Sequence, residues 1–255
     1  MIFPKAVAGD TGEDKKRQSL ASGQLEFLFT TRPLPCPYLQ ANQERKIVAG
    51  LDNGEARRRY EPLIRAGYRR SGAIAYRHAC PACRACVPVR IKIANFKPGK
   101  SLRRVRGQNS DLAARILPAL ARPDHFELFR RYQEGRHGDG EMADMDYEDY
   151  RTLVEESFVA TRLAEFRNPD GGLIAVCLYD TLADSLSAVY TFFEPLAGKR
   201  SLGSEMILWL AQNCQAAQKN YLYLGFWIEG SAKMAYKARF RPLQALIDGK
   251  WQRLP

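Results

Sequence analysis

Four cysteines in the first third of the chain have the spacing of a metal site. Cys80, Cys83 and Cys86 repeat at every third residue, and Cys36 would supply a fourth sulfur. Thiolates at this spacing bind zinc or an iron–sulfur cluster, and His78 is an alternative ligand. The same spacing fits free thiols that sense or tune redox state. The residues alone leave both readings open.

Basic residues are concentrated in one segment of the chain. From Arg57 to Arg106 there are 15 Lys and Arg residues and one acidic residue, Glu61, which gives a net charge of +14 in a chain whose total is +11. Such a one-sided charge carries self-repulsion and predicts a polyanionic partner such as a nucleic acid. A basic surface that merely faces solvent is the alternative.

The composition is that of a globular protein. The chain has 255 residues, of which 45% are hydrophobic, enough for one long domain or two short ones. It has no run of about 18 uncharged apolar residues that could span a membrane, and its first residues lack an apolar signal-peptide core. We therefore predict a cytoplasmic protein with no membrane partner.

Hydrophobic periodicity and turn signals predict an α/β (α+β) fold. We expect a flexible arm over 1–22, a basic N-terminal region with the cysteine cluster over 23–123, and a second region over 124–255. Helices are predicted over 53–66, 124–137, 145–156, 201–217 and 232–239, the fourth capped by Ser201. Strands are predicted over 24–31, 73–77, 87–93, 160–167, 173–179, 185–193 and 221–228. The strand over 87–93 would place Arg90 and Lys92 on the face opposite its buried one.

The order of elements in the second region resembles the GNAT acyltransferase fold. Its loop Arg200-Ser-Leu-Gly203 precedes a helix, whose N-terminal amides in that fold hold the phosphates of an acyl carrier. The resemblance by itself would imply acetyl-CoA, but CoA-binding relatives carry a small residue where this chain has Glu205. Because a carboxylate in the first turn would compete with pyrophosphate for the amides, we expect a different nucleotide carrier.

Longer stretches resemble the aspartate/glutamate leucyltransferases, relatives of the arginyl-tRNA–protein transferases. These stretches are CPYLQANQERKI (36–47), GYRRSGAIAYRHACPACRACVPVRI (67–91), SLRRVRGQN (101–109), RYQEGRHGDGEM (131–142), SAVYTFFEP (187–195), RSLGSEMILW (200–209) and YLYLGFWIEGSAKMAYKARFRPLQALIDGKW (221–251). The resemblance implies a tandem or duplicated GNAT-like architecture. It implies Leu-tRNA as donor and proteins with N-terminal Asp or Glu as acceptors, which the transfer marks for degradation. Related arginyl-transferases hold an iron–sulfur cluster through N-terminal cysteines, although with a different spacing.

A transfer of this kind requires neither a covalent nucleophile nor a cofactor. The donor is an activated ester, and the acceptor α-amine has a pKa near ~7.7, so a useful fraction is neutral at cellular pH. The enzyme has to align the two reactants, accept a proton and stabilise an oxyanion, and alignment alone can supply roughly 7–11 kcal/mol. A chain with three His and no Gly-x-Ser-x-Gly motif fits this requirement.

Four residues are catalytic candidates. Glu165 would accept a proton, and Tyr190 and Tyr236 would orient or relay protons. Lys237 would contact the donor or the carboxylate of the acceptor. The alternatives are an ion-paired strand residue for Glu165 and ordinary core aromatics for the two tyrosines.

The substrate-binding candidates are mostly arginines. Those for the tRNA acceptor stem are Arg69, Arg70, Arg103, Arg104 and Arg106, because contacts to RNA backbones are made chiefly to phosphate. Arg77 and Arg84 are candidates for the acidic side chain of the acceptor, since a guanidinium binds a carboxylate bidentately. Arg200, Gly203 and Trp227 complete the set.

Three other functions remain open from the sequence. The same enzyme would use an arginyl donor if its pocket were acidic, and the segment 134–156 is rich in Asp and Glu. An acyl-CoA-dependent N-acyltransferase would have to bind CoA despite Glu205. A non-enzymatic RNA-binding module would leave the aromatic C-terminal half dispensable.

Overall fold

The structure is a computed structural model that describes residues 28–39, 42–51, 55–137 and 142–254. The arm predicted over 1–22 lies outside the described residues, as does the first half of the strand predicted over 24–31. The described elements include fourteen strands and six α-helices. The strands are β1 (Leu28–Thr30), β2 (Leu34–Pro35), β3 (Gln43–Glu44), β4 (Lys46–Gly50), β5 (Arg69–Ser71), β6 (Ile74–His78), β7 (Val87–Lys92), β8 (Ala113–Pro118), β9 (Thr161–Arg167), β10 (Leu173–Thr181), β11 (Ser185–Phe193), β12 (Tyr221–Trp227), β13 (Leu243–Ile247) and β14 (Lys250–Arg253). The helices are α1 (Ala56–Arg65), α2 (Lys100–Gln108), α3 (Pro123–His137), α4 (Tyr147–Glu155), α5 (Leu202–Ala216) and α6 (Ala232–Ala235).

One eight-stranded sheet organises the described chain. Its strand order is β14-β13-β7-β12-β11-β10-β9-β8, and a smaller sheet has the order β1-β4-β6-β5. The large sheet therefore takes β7 and β8 from the predicted basic region and its other six strands from the second region. The fold is mixed α and β, as predicted, and the division at residue 123 stays a prediction.

The two faces of the large sheet are covered differently. On one face α2 and α5 enclose the largest apolar cluster, which includes Leu102, Met206 and Leu222. On the other face α3 and α4 cover β9 to β11 through a cluster that includes Phe129 and Phe192. Farther along this second face, α1 and the smaller sheet pack on Tyr223. The sheet is thus buried on both sides, and its interior residues hold the site described below.

Two neighbouring strands of this sheet separate along their length. β11 and β12 are parallel and pair only at their first residues, from Ser185 with Tyr221 to Ser187 with Tyr223. β11 continues to Phe193 and β12 to Trp227 without further pairing between them. The register of β10 against β11 shifts at Leu178, which leaves Val189 as an extra residue of β11. The gap between the diverging strands leaves backbone groups available to side chains.

Most predicted elements are present, and three details of the sequence analysis are wrong. Arg90 is buried, with its guanidinium 3.7 Å from the ring centre of Tyr221 and 4.2 Å from that of Trp251. Ser201 is the N-cap of α5 but makes no capping hydrogen bond through its side chain. The helix predicted over 232–239 ends as an α-helix at Ala235 and continues as a 3₁₀ turn.

Candidate active site between diverging strands

Arg69 lies at the centre of the gap between β11 and β12. Its Nη2 donates to the carbonyl oxygen of Val189, the extra residue of β11, at 2.7 Å. On the other strand, Gly225 has a φ of +71°, and a Cβ there would lie 3.3 Å from Cδ of Arg69. The positive φ and the close approach explain why glycine stands at this position. Both strands therefore shape the gap to hold the arginine.

Four tyrosines lie within electrostatic range of the Arg69 guanidinium. Burial lowers the pKa of Arg69, but the tyrosines more than offset this and the net shift is upward. These tyrosines are Tyr76, Tyr38, Tyr190 and Tyr236. Together with Arg69 and Lys237 they are called the Arg69 cluster below.

Three tyrosines of the cluster, Tyr38, Tyr190 and Tyr236, are held in their protonated form by burial. Desolvation raises the pKa of Tyr236 to about 12, and desolvation also raises the pKa of Tyr190. Nε2 of Gln133, on α3, donates to the Tyr190 hydroxyl at 2.7 Å. At neutral pH these hydroxyls are hydrogen-bond donors, which is the property needed to stabilise a developing oxyanion or a leaving oxygen.

Lys237 differs from the tyrosines, because its pKa is shifted toward the neutral range. Its side chain is buried, and Nζ donates to the carbonyl oxygen of Phe226 at 2.6 Å. Desolvation, followed by the charge of Arg69, holds the pKa of Lys237 well below its usual range. Burial of this kind disfavours the charged form of a lysine, so Lys237 releases its proton more readily than an exposed lysine does. The predicted contact of Lys237 with the donor or with the carboxylate of the acceptor stays a prediction.

The structure brings Tyr190, Tyr236, Lys237 and Arg69 together but places Glu165 elsewhere. Glu165 lies on β9, where its carboxylate contacts Nε2 of His125 and Nε of Arg167, each at 3.1 Å. Burial opposes ionisation of Glu165, but hydrogen bonds from Arg167 and His125 prevail and lower its pKa. A carboxylate paired in this way is a weak proton acceptor, so the ion-paired alternative describes Glu165 best.

Besides Arg69, two more arginines of the tRNA set are engaged within the protein. Arg70 is almost fully buried and forms a bidentate pair with Asp180 at 2.7 and 2.8 Å, so no part of its guanidinium faces a phosphate. Arg106 donates to Glu205 at 2.7 Å and also contacts Gln212. Arg103 and Arg104 are exposed on α2.

The other substrate-binding candidates lie at separate places. Arg77 and Arg84 are exposed, and Arg77 lies 5.3 Å from the ring centre of Tyr68. Arg200 donates to Asn109 at 3.0 Å and contacts Asp111, so it ties the end of α2 to the start of α5. Gly203 abuts Phe193. Trp227 ends β12, and its Nε1 is buried without a hydrogen-bond partner among the described residues.

Glu205 does not occupy the amides at the start of α5. Its Oε1 accepts from Arg106, and its Oε2 has no hydrogen-bond partner among the described residues. The expected competition with a pyrophosphate for those amides is therefore wrong, because the carboxylate turns sideways toward α2. The position of Glu205 therefore does not argue for a carrier other than CoA.

The cysteines approach each other without forming a metal site. Burial raises the pKa of Cys86 to about 12, and Cys36, Cys80 and Cys83 add to the shift, so the four sulfurs lie within electrostatic range. The backbone amides of Leu39 and Arg45 donate to Cys36 and Cys80, each at 3.4 Å. Among the described residues no group of three or more His, Cys, Asp or Glu is arranged to hold a metal ion. The residues as placed do not fit the predicted zinc or iron–sulfur site.

The sequence analysis missed the positions of Tyr38 and His78 beside the Arg69 cluster, and it named His78 only as an alternative metal ligand. Tyr38 joins the cysteine segment to the Arg69 cluster, and burial raises its pKa. His78 is neutral because burial and then Lys46 lower its pKa to about 4, and its ring lies 4.8 Å from that of Phe226. The only signal for these residues was their place within the resembling stretches 36–47 and 67–91.

Comparison with known proteins identifies the family. The model described as the N terminus of arginine-tRNA-protein transferase matches residues 34–104, and the model of its C terminus matches residues 124–247. An aspartate/glutamate leucyltransferase of Paramagnetospirillum magneticum is 49% identical over 227 residues, which cover 89% of this chain and 93% of that protein. One of Rhodospirillum rubrum is 49% identical over 88% of this chain and 92% of that protein. The chain belongs to the aspartate/glutamate leucyltransferase family.

Two solved structures are remotely similar to this chain. L-PGS from Bacillus licheniformis aligns with a TM-score of 0.46 and 11% identity, over 57% of this chain and 48% of that one. FemX aligns with a TM-score of 0.43 and 8% identity, over 71% of this chain and 63% of that one. No described helix of this chain has the length and apolar character of a membrane span.

Proposed function

We propose that this family member transfers a leucyl group from aminoacyl-tRNA to the α-amine of proteins that begin with Asp or Glu. The names of its relatives support both the leucyl group and the acidic acceptor, and the family models support a tRNA donor. The marked proteins would enter a degradation pathway in the cytoplasm. The alternation of β9 to β11, α5 and the parallel β12 supports a GNAT-like core.

The Arg69 cluster is the observation that carries this proposal. A lysine with a lowered pKa and tyrosines with raised pKa values meet beside one gap between two strands. An acyl transfer to an amine requires a proton acceptor and donors for the oxyanion. The cluster supplies both without a covalent nucleophile.

The proposed reaction follows from these protonation states. The acceptor α-amine attacks the ester carbonyl carbon, so a C–N bond forms and the C–O bond to the terminal ribose breaks. The proton that the amine loses passes to Nζ of Lys237 and then to the departing ribose oxygen. The hydroxyls of Tyr190 and Tyr236 donate to the carbonyl oxygen while it carries negative charge. Arg69 lowers the energy of that charge and holds the tyrosines in place.

A transfer assay tests the proposal. Labelled leucine from charged tRNA should appear on a peptide that begins with Asp or Glu, and labelled arginine or acetyl-CoA should give little product. Lys237→Met should reduce kcat by a factor of about 10² or more, because general-base catalysis is worth that much. Lys233→Met, an exposed lysine four residues away, is the control. Full activity of Lys237→Met would exclude Lys237 as the base.

Salt dependence tests the RNA contact separately. Arg104 is exposed on α2, and each phosphate contact contributes about 0.7–0.9 to the slope of log affinity against log salt. Arg104→Ala should lower that slope by this amount, whereas Arg130→Ala, exposed on α3, should leave it unchanged. Equal slopes for all three proteins would rule out a phosphate contact at Arg104.

A further inference from the structure

A groove of about 530 Å³ runs along α5 on the sheet face that α2 covers. It is separate from the Arg69 cluster, since it lies against β9 and the cluster lies between β11 and β12. With strands about 4.8 Å apart, the two sites are separated by about 12 Å across the sheet. The residues that matter in the groove are Arg106, Phe166, Glu205, Trp209 and Gln212.

Glu205 gives the groove an unsatisfied acceptor. Its side chain is 6% exposed, and Oε1 is occupied by Arg106 at 2.7 Å. Its Oε2 is buried without a hydrogen-bond partner among the described residues. A buried acceptor left unpaired is unfavourable, and native proteins almost always satisfy such atoms. A ligand with an N–H group would satisfy this one.

Next to this acceptor lie a donor and an aromatic wall. The Arg106 side chain is 41% exposed and borders the groove beside Glu205. Trp209 is half-buried and meets Phe166 edge to face, with ring centres 5.5 Å apart. A neighbouring donor and acceptor match the Watson–Crick edge of an unpaired base, and aromatic rings stack on the face of any base.

The charge around the groove favours a nucleic acid over a small ligand. The helix α2 borders the groove and contains Lys100, Arg103, Arg104 and Arg106 but no acidic residue. Lys100, Arg103 and Arg104 are exposed and are able to meet a phosphate backbone that passes the groove. A free cationic ligand would be repelled by the same residues.

We propose that this groove binds an unpaired base in the single-stranded 3′ end of the donor RNA. The inference rests on the proposed function, because the ester to be attacked lies at the 3′-terminal ribose and must reach the Arg69 cluster. A base held about 12 Å away across the sheet would fix the position of that ester. Glu205 and Arg106 would read the base edge, and Trp209 would stack on its face.

The test compares two RNAs on the same protein. Glu205→Gln keeps the shape of the side chain but places an amide donor where the base also donates. At pH 8, where Glu205 with its pKa of about 7 is mostly ionised, the substitution should weaken binding of deacylated tRNA about tenfold or more, since a hydrogen bond to a charged group is worth roughly 1.5–3 kcal/mol. A tRNA that lacks its single-stranded 3′ nucleotides should bind the variant and the original protein equally. Glu148→Gln, exposed on α4, is the matched control in fluorescence anisotropy titrations.

Tryptophan fluorescence gives a second measurement that does not depend on Glu205. Full-length tRNA should quench the original protein more than the truncated tRNA does, and Trp209→Phe should remove that difference. An equal effect of Glu205→Gln on both RNAs, or no effect on either, would overturn the inference for a protein that melts normally. So would Glu205-sensitive binding of free AMP, GMP or CMP without a change in RNA binding. Failure of the proposed function would appear differently, as absent leucyl transfer by the original protein.

Discussion

Removal of the Arg70 guanidinium should destabilise the protein and leave RNA contacts intact. Arg70 and Asp180 have side chains that are 1% and 0% exposed, and two hydrogen bonds of 2.7 and 2.8 Å join them. Asp180 also accepts from the Thr161 hydroxyl at 2.8 Å, and Arg70 donates to the Gly72 carbonyl at 2.9 Å. This network links the smaller sheet to β9 and β10.

The magnitude follows from the burial of the pair. When one partner of a buried ion pair is removed, the other is left as an uncompensated charge, at a loss of about 3–5 kcal/mol. For a chain of this size each kcal/mol lowers Tm by about 2–4 °C, so Arg70→Met should lower it by roughly 6–20 °C. Arg65→Met is the matched control, because Arg65 also pairs with an aspartate, Asp184, but is 54% exposed. Its loss should be below about 1 kcal/mol.

Two assays decide the role of Arg70. Thermal unfolding should show the fall in Tm for Arg70→Met, and the double variant with Asp180→Leu should recover much of it, since an apolar replacement of both charges is often neutral. Binding of tRNA at a temperature where the variant is folded should be unchanged. A normal Tm together with weakened tRNA binding would refute the buried-pair reasoning and restore Arg70 as an RNA contact.

Two further predictions concern the gap and the groove. Gly225→Ala should lose about 1–2 kcal/mol of stability through its positive φ and also lose transfer activity, because the new Cβ would press on Arg69. Gly171→Ala, whose φ is +82° with nothing within 4 Å, should lose similar stability in urea unfolding but keep full transfer. Burial raises the pKa of Glu205 from 4.5 to about 7, so the folded protein favours the protonated carboxyl. The stability that this preference contributes is complete below pH ~4.5 and should be lost as the pH rises through about 7, by at most about 3 kcal/mol. Urea unfolding at pH 5 and pH 8 should show this fall in the original protein and a smaller one in Glu205→Gln; identical pH dependences would contradict it.

The sequence predicts the helices and strands that have a clear hydrophobic period. Turn residues such as Asn168 to Gly172 separate β9 from β10, and long apolar alternation marks β10, β11 and β12. The sequence does not predict the polar elements. The helix α2 is short and strongly basic, so its sequence indicates only a charged stretch, and β8 has mostly exposed residues that give no alternation.

The sequence likewise predicts only part of the candidate site. Residue type and the family stretches were enough to select Tyr190, Tyr236, Lys237 and Arg69 as candidates. They were not enough to separate Arg70 from Arg69, although the two are adjacent in sequence. Because successive side chains of a strand point to opposite faces, Arg69 reaches the gap beside β11 and Arg70 enters a buried ion pair.

The sequence by itself determined the family, the concentration of positive charge and the order of most elements, because these depend on residue types and local periodicity. Only the tertiary structure decided which charges remain available. The pKa of Lys237 is lowered because burial removes water from its amine. Glu205 keeps one oxygen without a hydrogen-bond partner among the described residues because Arg106 on α2 occupies only the other. Both properties arise from contacts between distant segments, which no local pattern contains.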